Sequence, residues 1–489
     1  MLQRITRSWS LDERSVSLFR IILGFSILYL LVTNKLPWAA ECWGADRIIP
    51  EDVRLYVHGK LNYSVFDYVH SNVFAYVWIY TAIALSFLYV IGFRTRIVSV
   101  LLLFFMLNLW QATPFFTHGF DRYTMCFLTW SCFLPLDNHF SIRPPAVKKS
   151  VPFWASLIML MQIMWIYFGT GIVKYGDAWT QGFAIKLMAS DQWMTTPLAS
   201  VFSSNEWLYR PLTYLTLILD WLFPLLLLLP FYKQWNRYVV VLYLFGFHLS
   251  VHLIADVSNF SLSGIAVSAI LLPTHFWDKF NIGNTQKYEP SIYSGWQKYA
   301  VRGLAAFILY VLFIKNILFV TKNCAAAKQP YMQSVTAALR YADIPSPMSN
   351  WFFKQEWKMF APEPSYELGW ISMEYIGDDN ILYDFFTHDI VAKNKHEIHF
   401  RPKGMLFHYL MPCRSMHFKA RWKERAFLKF WYFYNLEKAG VPPEKWKNYF
   451  ITEYKFTLLK EQELAPSEVK KVYYTEEAIR NINTTLPTQ

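Results

Sequence analysis

Charge is scarce in this sequence. Of 489 residues only 17% are Asp, Glu, Lys or Arg, where a soluble domain carries about a quarter. That shortfall excludes the string of soluble domains for which the length has room. Cysteine is scarce too, at 5 residues, which excludes a disulfide-stapled scaffold. No Lys/Arg run and no nucleic-acid fold signature accompanies the net charge of +12, so no nucleic-acid partner is expected. The HExxH zinc pattern is missing, and the tail beyond residue 345 has no phosphate loop, zinc-ligand spacing or nucleophile elbow. No metal site is expected.

Apolar residues are plentiful, at 54%, with aromatics at 19% and a positive mean hydropathy. About 20 mostly apolar residues span a bilayer. Nine such runs stand out, at 15–32, 73–93, 97–110, 121–136, 151–173, 214–232, 238–255, 260–273 and 304–320. The fourth is short and carries Asp121 and Arg122 at its start. None alternates with period two, and open sheets cannot cross lipid, so the runs are expected as helices. The expected fold is an all-α polytopic membrane bundle of about nine transmembrane helices, with a C-terminal α+β or mostly β soluble domain.

Basic residues set the orientation. Arg4, Arg7, Arg14, Arg94, Arg96, Arg143, Lys148, Lys149, Lys233, Arg237, Lys279, Lys287, Lys298 and Arg302 gather on one side. The expectation is a cytoplasmic N-terminus and a tail in the periplasm, ER lumen or cell exterior. The basic, then apolar, N-terminus has no small-residue cleavage site and reads as a first span. On the outer side fall Cys42, Cys324 and Cys413, where a bond from Cys42 to either of the others would tie the first outer loop to the tail. Two sequons, at Asn62 and Asn483, fall there as well.

The expected organisation is a transmembrane domain over 1–321, a linker over 322–344 and an extracytoplasmic domain over 345–489. In the tail, ELGWISMEYI and ILYDFF read as strands joined by the turn GDDN. RAFLKFWYFYNLEKAG reads as an amphipathic helix ending at Gly440, and YFITEYKFTLLKEQEL as a further strand.

Polar groups inside spans are costly and therefore functional candidates. Lys174 closes the run VPFWASLIMLMQIMWIYF in IYFGTGIVKYGDAW, among Trp165, Tyr167 and Phe168. Burial disfavours a charged amine, and a neutral amine is a usable general base near pH 7. The alternative is a helix-end lysine snorkelling to the headgroups, with Gly176 as a cap. His118 and Arg122 stand four apart with Asp121 between them, and His248 and His252 share a helix face in FGFHLSVHLI. The histidine pair reads as lining a cavity. Asp220, mid-span in LTLILDWLFP, is expected to face the bundle interior, paired with a base or donating as a neutral acid.

IGFRTR (91–96), the His118–Asp121 turn, FLPLDN (133–138), YFGTGIVKYGDAW (167–179), Asp220–Pro224 and the span carrying His248 follow one another in order. Together they resemble the HTTM superfamily, to which the vitamin K-dependent gamma-glutamyl carboxylases belong, over about 10–275. WKMFAPEP (357–364) resembles the tails of short bacterial members. The resemblance implies that Lys174 deprotonates a hydroquinone, either reduced vitamin K or menaquinol. Reaction with dioxygen then yields an epoxide and a strong base, which takes the gamma proton of a glutamate so that carbon dioxide adds. It implies a catalytic role for His118 beside Lys174, and places His248, Asp220, Tyr167 and Trp179 as cofactor-binding candidates. Partners implied are the lipid bilayer, the quinol and a secreted peptide or protein substrate.

The sequence departs from the animal carboxylases. Thr117 stands where they have asparagine, Val173 precedes Lys174 where they have a second lysine, and the tail is much shorter. Two expectations therefore stand side by side: a quinol epoxidase with or without glutamyl carboxylation, or a non-catalytic HTTM factor for maturation or export of a small secreted peptide. A transporter is less well supported, since no inverted repeat or paired broken helices are evident.

Overall fold

The computed structural model describes residues 9–45, 47, 51, 54, 63–113, 119–190, 195–229, 233–255, 257–283, 295–343, 357, 359–364, 367–385, 388, 390, 432–433, 435–457 and 465–472. They form two compact units: Met1–Pro37, Val73–Gln111 and Thr117–Pro364 in the first, and Trp38–Asn72, Ala112–Phe116 and Ser365–Gln489 in the second.

The first unit is the membrane bundle. Its principal helices are α1 (Glu13–Leu30), α2 (Asn72–Ile91), α3 (Thr95–Ala112), α4 (Gly119–Ser131), α5 (Phe153–Val173), α6 (Glu206–Leu228), α7 (Lys233–Ile254), α8 (Phe260–Ile270), α9 (Gly295–Asn323) and α10 (Pro330–Tyr341). All nine apolar runs are helical. Among the described residues seven helices are long and apolar enough to cross a membrane. The exceptions are α4 and α8, with 13 and 11 residues. At about 1.5 Å per residue both fall short of a hydrocarbon core about 30 Å thick.

Near the start of α4, Asp121 pairs with Lys35 at 3.3 Å, beyond the end of α1. At the other end, Arg20 Nη1 donates to Leu136 O at 2.8 Å and the His139 amide donates to Ser17 Oγ at 3.1 Å. Thus α4 with its following turn runs the length of α1. Helix α8 starts beside the last turns of α1. Asn259 and Ser263 meet Ser26, four residues before the end of α1, with the Ser26 and Ser263 hydroxyls 2.6 Å apart, and Asn34 Nδ2 donates to Ser258 Oγ at 3.0 Å. Its far end meets the start of α1, where Ser15 Oγ donates to Leu272 O at 2.7 Å.

Arg20 shows how the bundle fastens its loops. It is fully buried, and its guanidinium also donates to Phe140 O and Ser141 Oγ, each at 2.6 Å, and to Val90 O at 3.2 Å. Five fixed donors suit a cluster of carbonyls. The stretch 322–344, read as a linker, contains α10. Cys324 carries a free thiol, so a Cys42–Cys324 bond is corrected. Cys413, Asn62 and Asn483 lie outside the described residues.

The second unit holds a four-stranded antiparallel sheet in the order β2-β1-β3-β4, with β1 Glu367–Ile376, β2 Leu382–Asp384, β3 Tyr449–Thr457 and β4 Ala465–Val472. The GDDN hairpin forms, with Glu374 opposite Asp384 and the Gly377 amide donating to Ile381 O at 2.9 Å. The described part of the amphipathic helix ends at Gly440, whose φ of +65° suits a glycine helix end. In the 38–72 segment Arg47 and Arg54 both bond the buried carboxylate of Asp67.

Candidate active site

Helix α5 stops at Lys174, whose amide still donates to Gly171 O at 3.2 Å while its own φ and ψ, −88° and 76°, leave the helix. The side chain does not snorkel. Lys174 is 7% exposed, and its Nζ lies 2.8 Å from Asp220 Oδ2 and 4.4 Å from the centre of the Trp179 ring. The snorkelling alternative is thereby corrected, and Gly176 caps the start of the short helix Asp177–Thr180 rather than the end of α5.

Two sequence features let α5 and α6 come this close. A Cβ on Gly171 would stand 2.9 Å from Asp220 Cβ, so only glycine admits the carboxylate without displacement. Four residues after Asp220, Pro224 lies inside α6 and removes the N–H that would close on the Asp220 carbonyl. Asp220 is 3% exposed and its second oxygen accepts from Tyr243 OH at 2.8 Å. A buried carboxylate with a cation on one oxygen and a hydroxyl on the other offsets much of its desolvation cost.

Next to this pair runs a second buried chain. Tyr167 OH lies 2.7 Å from His248 Nε2 and 3.0 Å from Tyr123 OH. It joins three helices, α5, α7 and α4. Phe223 separates the two networks, stacked on Tyr167 with ring centres 4.9 Å apart and set edge-on to Tyr243. His248 is fully buried and fits only because residue 264 is glycine, where a Cβ would overlap the imidazole. Its Nδ1 has no hydrogen-bond partner. An unpaired lone pair is easier to bury than an unpaired N–H, so the tautomer with hydrogen on Nε2 fits best, donating to Tyr167. His252, expected beside His248, is exposed, so the expected histidine pair is corrected: His248 bonds a tyrosine instead.

A third strand of chain comes from beyond the last span. Trp357 is 1% exposed, its ring edge-on to Tyr123, and its carbonyl accepts from Thr170 Oγ1 at 3.4 Å. Phe360 O accepts from Trp179 Nε1 at 2.8 Å, Pro362 O from the Gly176 amide at 3.0 Å, and Glu363 Oε2 from the Ala178 amide at 3.0 Å. Two motifs almost 200 residues apart, YGDAW and WKMFAPEP, are thus bonded to each other.

Five of the six candidate residues, Lys174, Asp220, Trp179, Tyr167 and His248, come together. His118 lies outside the described residues, and its neighbour Asp121 pairs with Lys35. Tyr123, Tyr243 and Trp357 were not legible as site residues, since single aromatics in a sequence that is 19% aromatic carry no signal. Among the described residues no group of His, Cys, Asp and Glu side chains could hold a metal ion. The chemistry available is proton transfer, by an amine, a carboxylate, an imidazole and three phenols, all of them buried except the half-buried Tyr243.

No curated protein and no solved structure matches the chain. The HTTM domain family matches residues 10–277, which hold α1 to α8 and the whole of both buried networks apart from Trp357. Since that is more than half of the sequence, the chain belongs to the HTTM family.

Proposed function

We propose that this protein is an integral-membrane enzyme that takes a proton from a reduced quinone, vitamin K hydroquinone or menaquinol, and couples it to epoxidation by dioxygen. The overall change balances as hydroquinone plus dioxygen giving quinone epoxide plus water. The quinol supplies an acidic phenol and the electrons for dioxygen. The observation that carries the reading is the buried Lys174–Asp220 pair, with Tyr243 bonded to the second carboxylate oxygen. In the ion pair Lys174 holds the proton. Its amine becomes a base when that proton passes to Asp220 across the 2.8 Å bond, and Tyr243 holds the carboxyl in place. Excluding water keeps any stronger base formed there from being quenched.

Carboxylation of glutamyl residues on a secreted peptide or protein, with carbon dioxide, extends the same reading. So does the orientation, with a cytoplasmic N-terminus and the tail outside, which a topology reporter fused after Gln489 tests: it should be active only as a periplasmic or lumenal enzyme.

The second reading is a non-catalytic HTTM factor for peptide maturation or export. The ion pair favours it in one respect, because a buried pair between two helices also fixes their register. One experiment separates them. Purified protein is given reduced vitamin K and air, with Lys174→Ala in parallel. Epoxide from the native protein alone supports catalysis. No epoxide from folded protein with several quinols supports the factor.

A further inference from the structure

We propose that residues 357 and 359–364 belong to a lid on the Lys174 site, so that the working unit extends beyond the HTTM match into the chain that follows the last span. The proposal rests on the quinol reading for what passes beneath the lid, and on geometry for the lid itself.

Four contacts among the described residues help to seat the segment, and each reaches the site. Trp357 covers Thr170 and the edge of Tyr123, the end of the tyrosine-histidine chain. Phe360 O holds Trp179 by its indole N–H, and the face of that indole carries the Lys174 ammonium. Pro362 and Glu363 bond the amides of Gly176 and Ala178, two and four residues beyond Lys174. Gly176 has a steric reason to be glycine, since its Cβ would lie 2.6 Å from Glu363 Cβ. The glycine after the lysine thus makes room for a segment that arrives almost 190 residues later.

Beside the buried Trp357 side chain, three of these contacts are hydrogen bonds, each contributing about 0.5–1.5 kcal/mol net. A handful of bonds on that scale can break and reform without unfolding a helix. The seated segment leaves the amine, its indole platform and Tyr123 covered. Lifting it exposes Tyr123 and releases Trp179 together, so opening the site and loosening the lysine are one motion. Seating it again restores both, which places the base only when the site is shut.

The test is the double variant Gly176→Cys/Glu363→Cys in lipid nanodiscs, compared oxidised and reduced. The Cβ atoms start about 1 Å inside the usual disulfide separation of about 3.5–4.5 Å, which a small shift of the segment provides. Amide hydrogen exchange over 165–178 should be at least tenfold slower in the oxidised protein, and quinol epoxidation should disappear and return on reduction. Equal exchange in the two states overturns the lid, whatever the turnover. Unequal exchange with equal turnover also overturns it, as the segment then moves without gating. Unequal exchange with no turnover in either state supports the lid and overturns the quinol reading. If the double variant fails to fold, Trp357→Ala should raise exchange over 165–174 at least tenfold, and unchanged exchange overturns the lid.

Discussion

Lys174 and Asp220 are each costly to bury alone. Asp220→Asn leaves an ammonium without its carboxylate in a dry place, a change that costs about 3–5 kcal/mol in buried pairs. A fall in melting temperature larger than that of Lys174→Met should follow. The double variant Lys174→Met/Asp220→Leu removes both charges and should recover most of the loss, as replacing a whole buried pair by apolar groups is often neutral. It also divides the two functional readings: a structural tie survives the swap with function intact, whereas a catalytic base does not. Tyr167→Phe strips a shared partner from His248 and Tyr123 and should cost about 1–3 kcal/mol, read as a lower melting temperature with the fold retained.

At the scale of the element, glycines report which helix faces touch. Gly264→Ala drives a methyl group into the His248 ring, and overpacking of this kind costs about 1–3 kcal/mol. Gly246 lies in α7 with nothing within 4 Å of a Cβ placed there. Gly246→Ala should therefore raise the melting temperature, by the roughly 0.5–1 kcal/mol that alanine gains over glycine in a helix. The opposite signs of two identical substitutions, two residues from His248 and directly against it, would check the placement of that histidine. Helices and strands were also the most legible features of the sequence. Nine apolar runs became nine helices because the length and hydropathy that mark a span are local properties. The strand Glu367–Ile376 and its GDDN turn were equally legible, from alternation and from turn chemistry.

For the whole molecule, pH should matter at the end of the bundle that carries the 136–151 loop. Burial, and after it the charge of Lys148, pushes the His139 imidazole down to about 4. In the unfolded chain a histidine titrates near 6.5. A depressed value means that the folded state resists the proton. The contribution to stability is whole above about pH 6.5 and is lost as pH falls from there towards about 4, by at most about 1.4 kcal/mol per unit. Melting temperatures between pH 7 and pH 4 should fall less steeply in His139→Gln than in the native protein.

Composition and run length alone determined that this is a membrane bundle with a small soluble sheet, because lipid demands long apolar helices whatever they pack against. The sequence also pointed to Lys174 and Asp220, since ionisable groups stand out against apolar runs. It could not show that they bond each other or that Tyr243 completes the set. Nor could it show that Arg20, unmarked within SLFRIIL, ties the end of α2 to the loop after α4. Those facts depend on side chains dozens to hundreds of residues apart, and no local pattern encodes a long-range contact. Gly171, Gly176 and Gly264 make the point in small: each is an ordinary letter in the sequence, and only the tertiary structure supplies the neighbour that forbids a larger one.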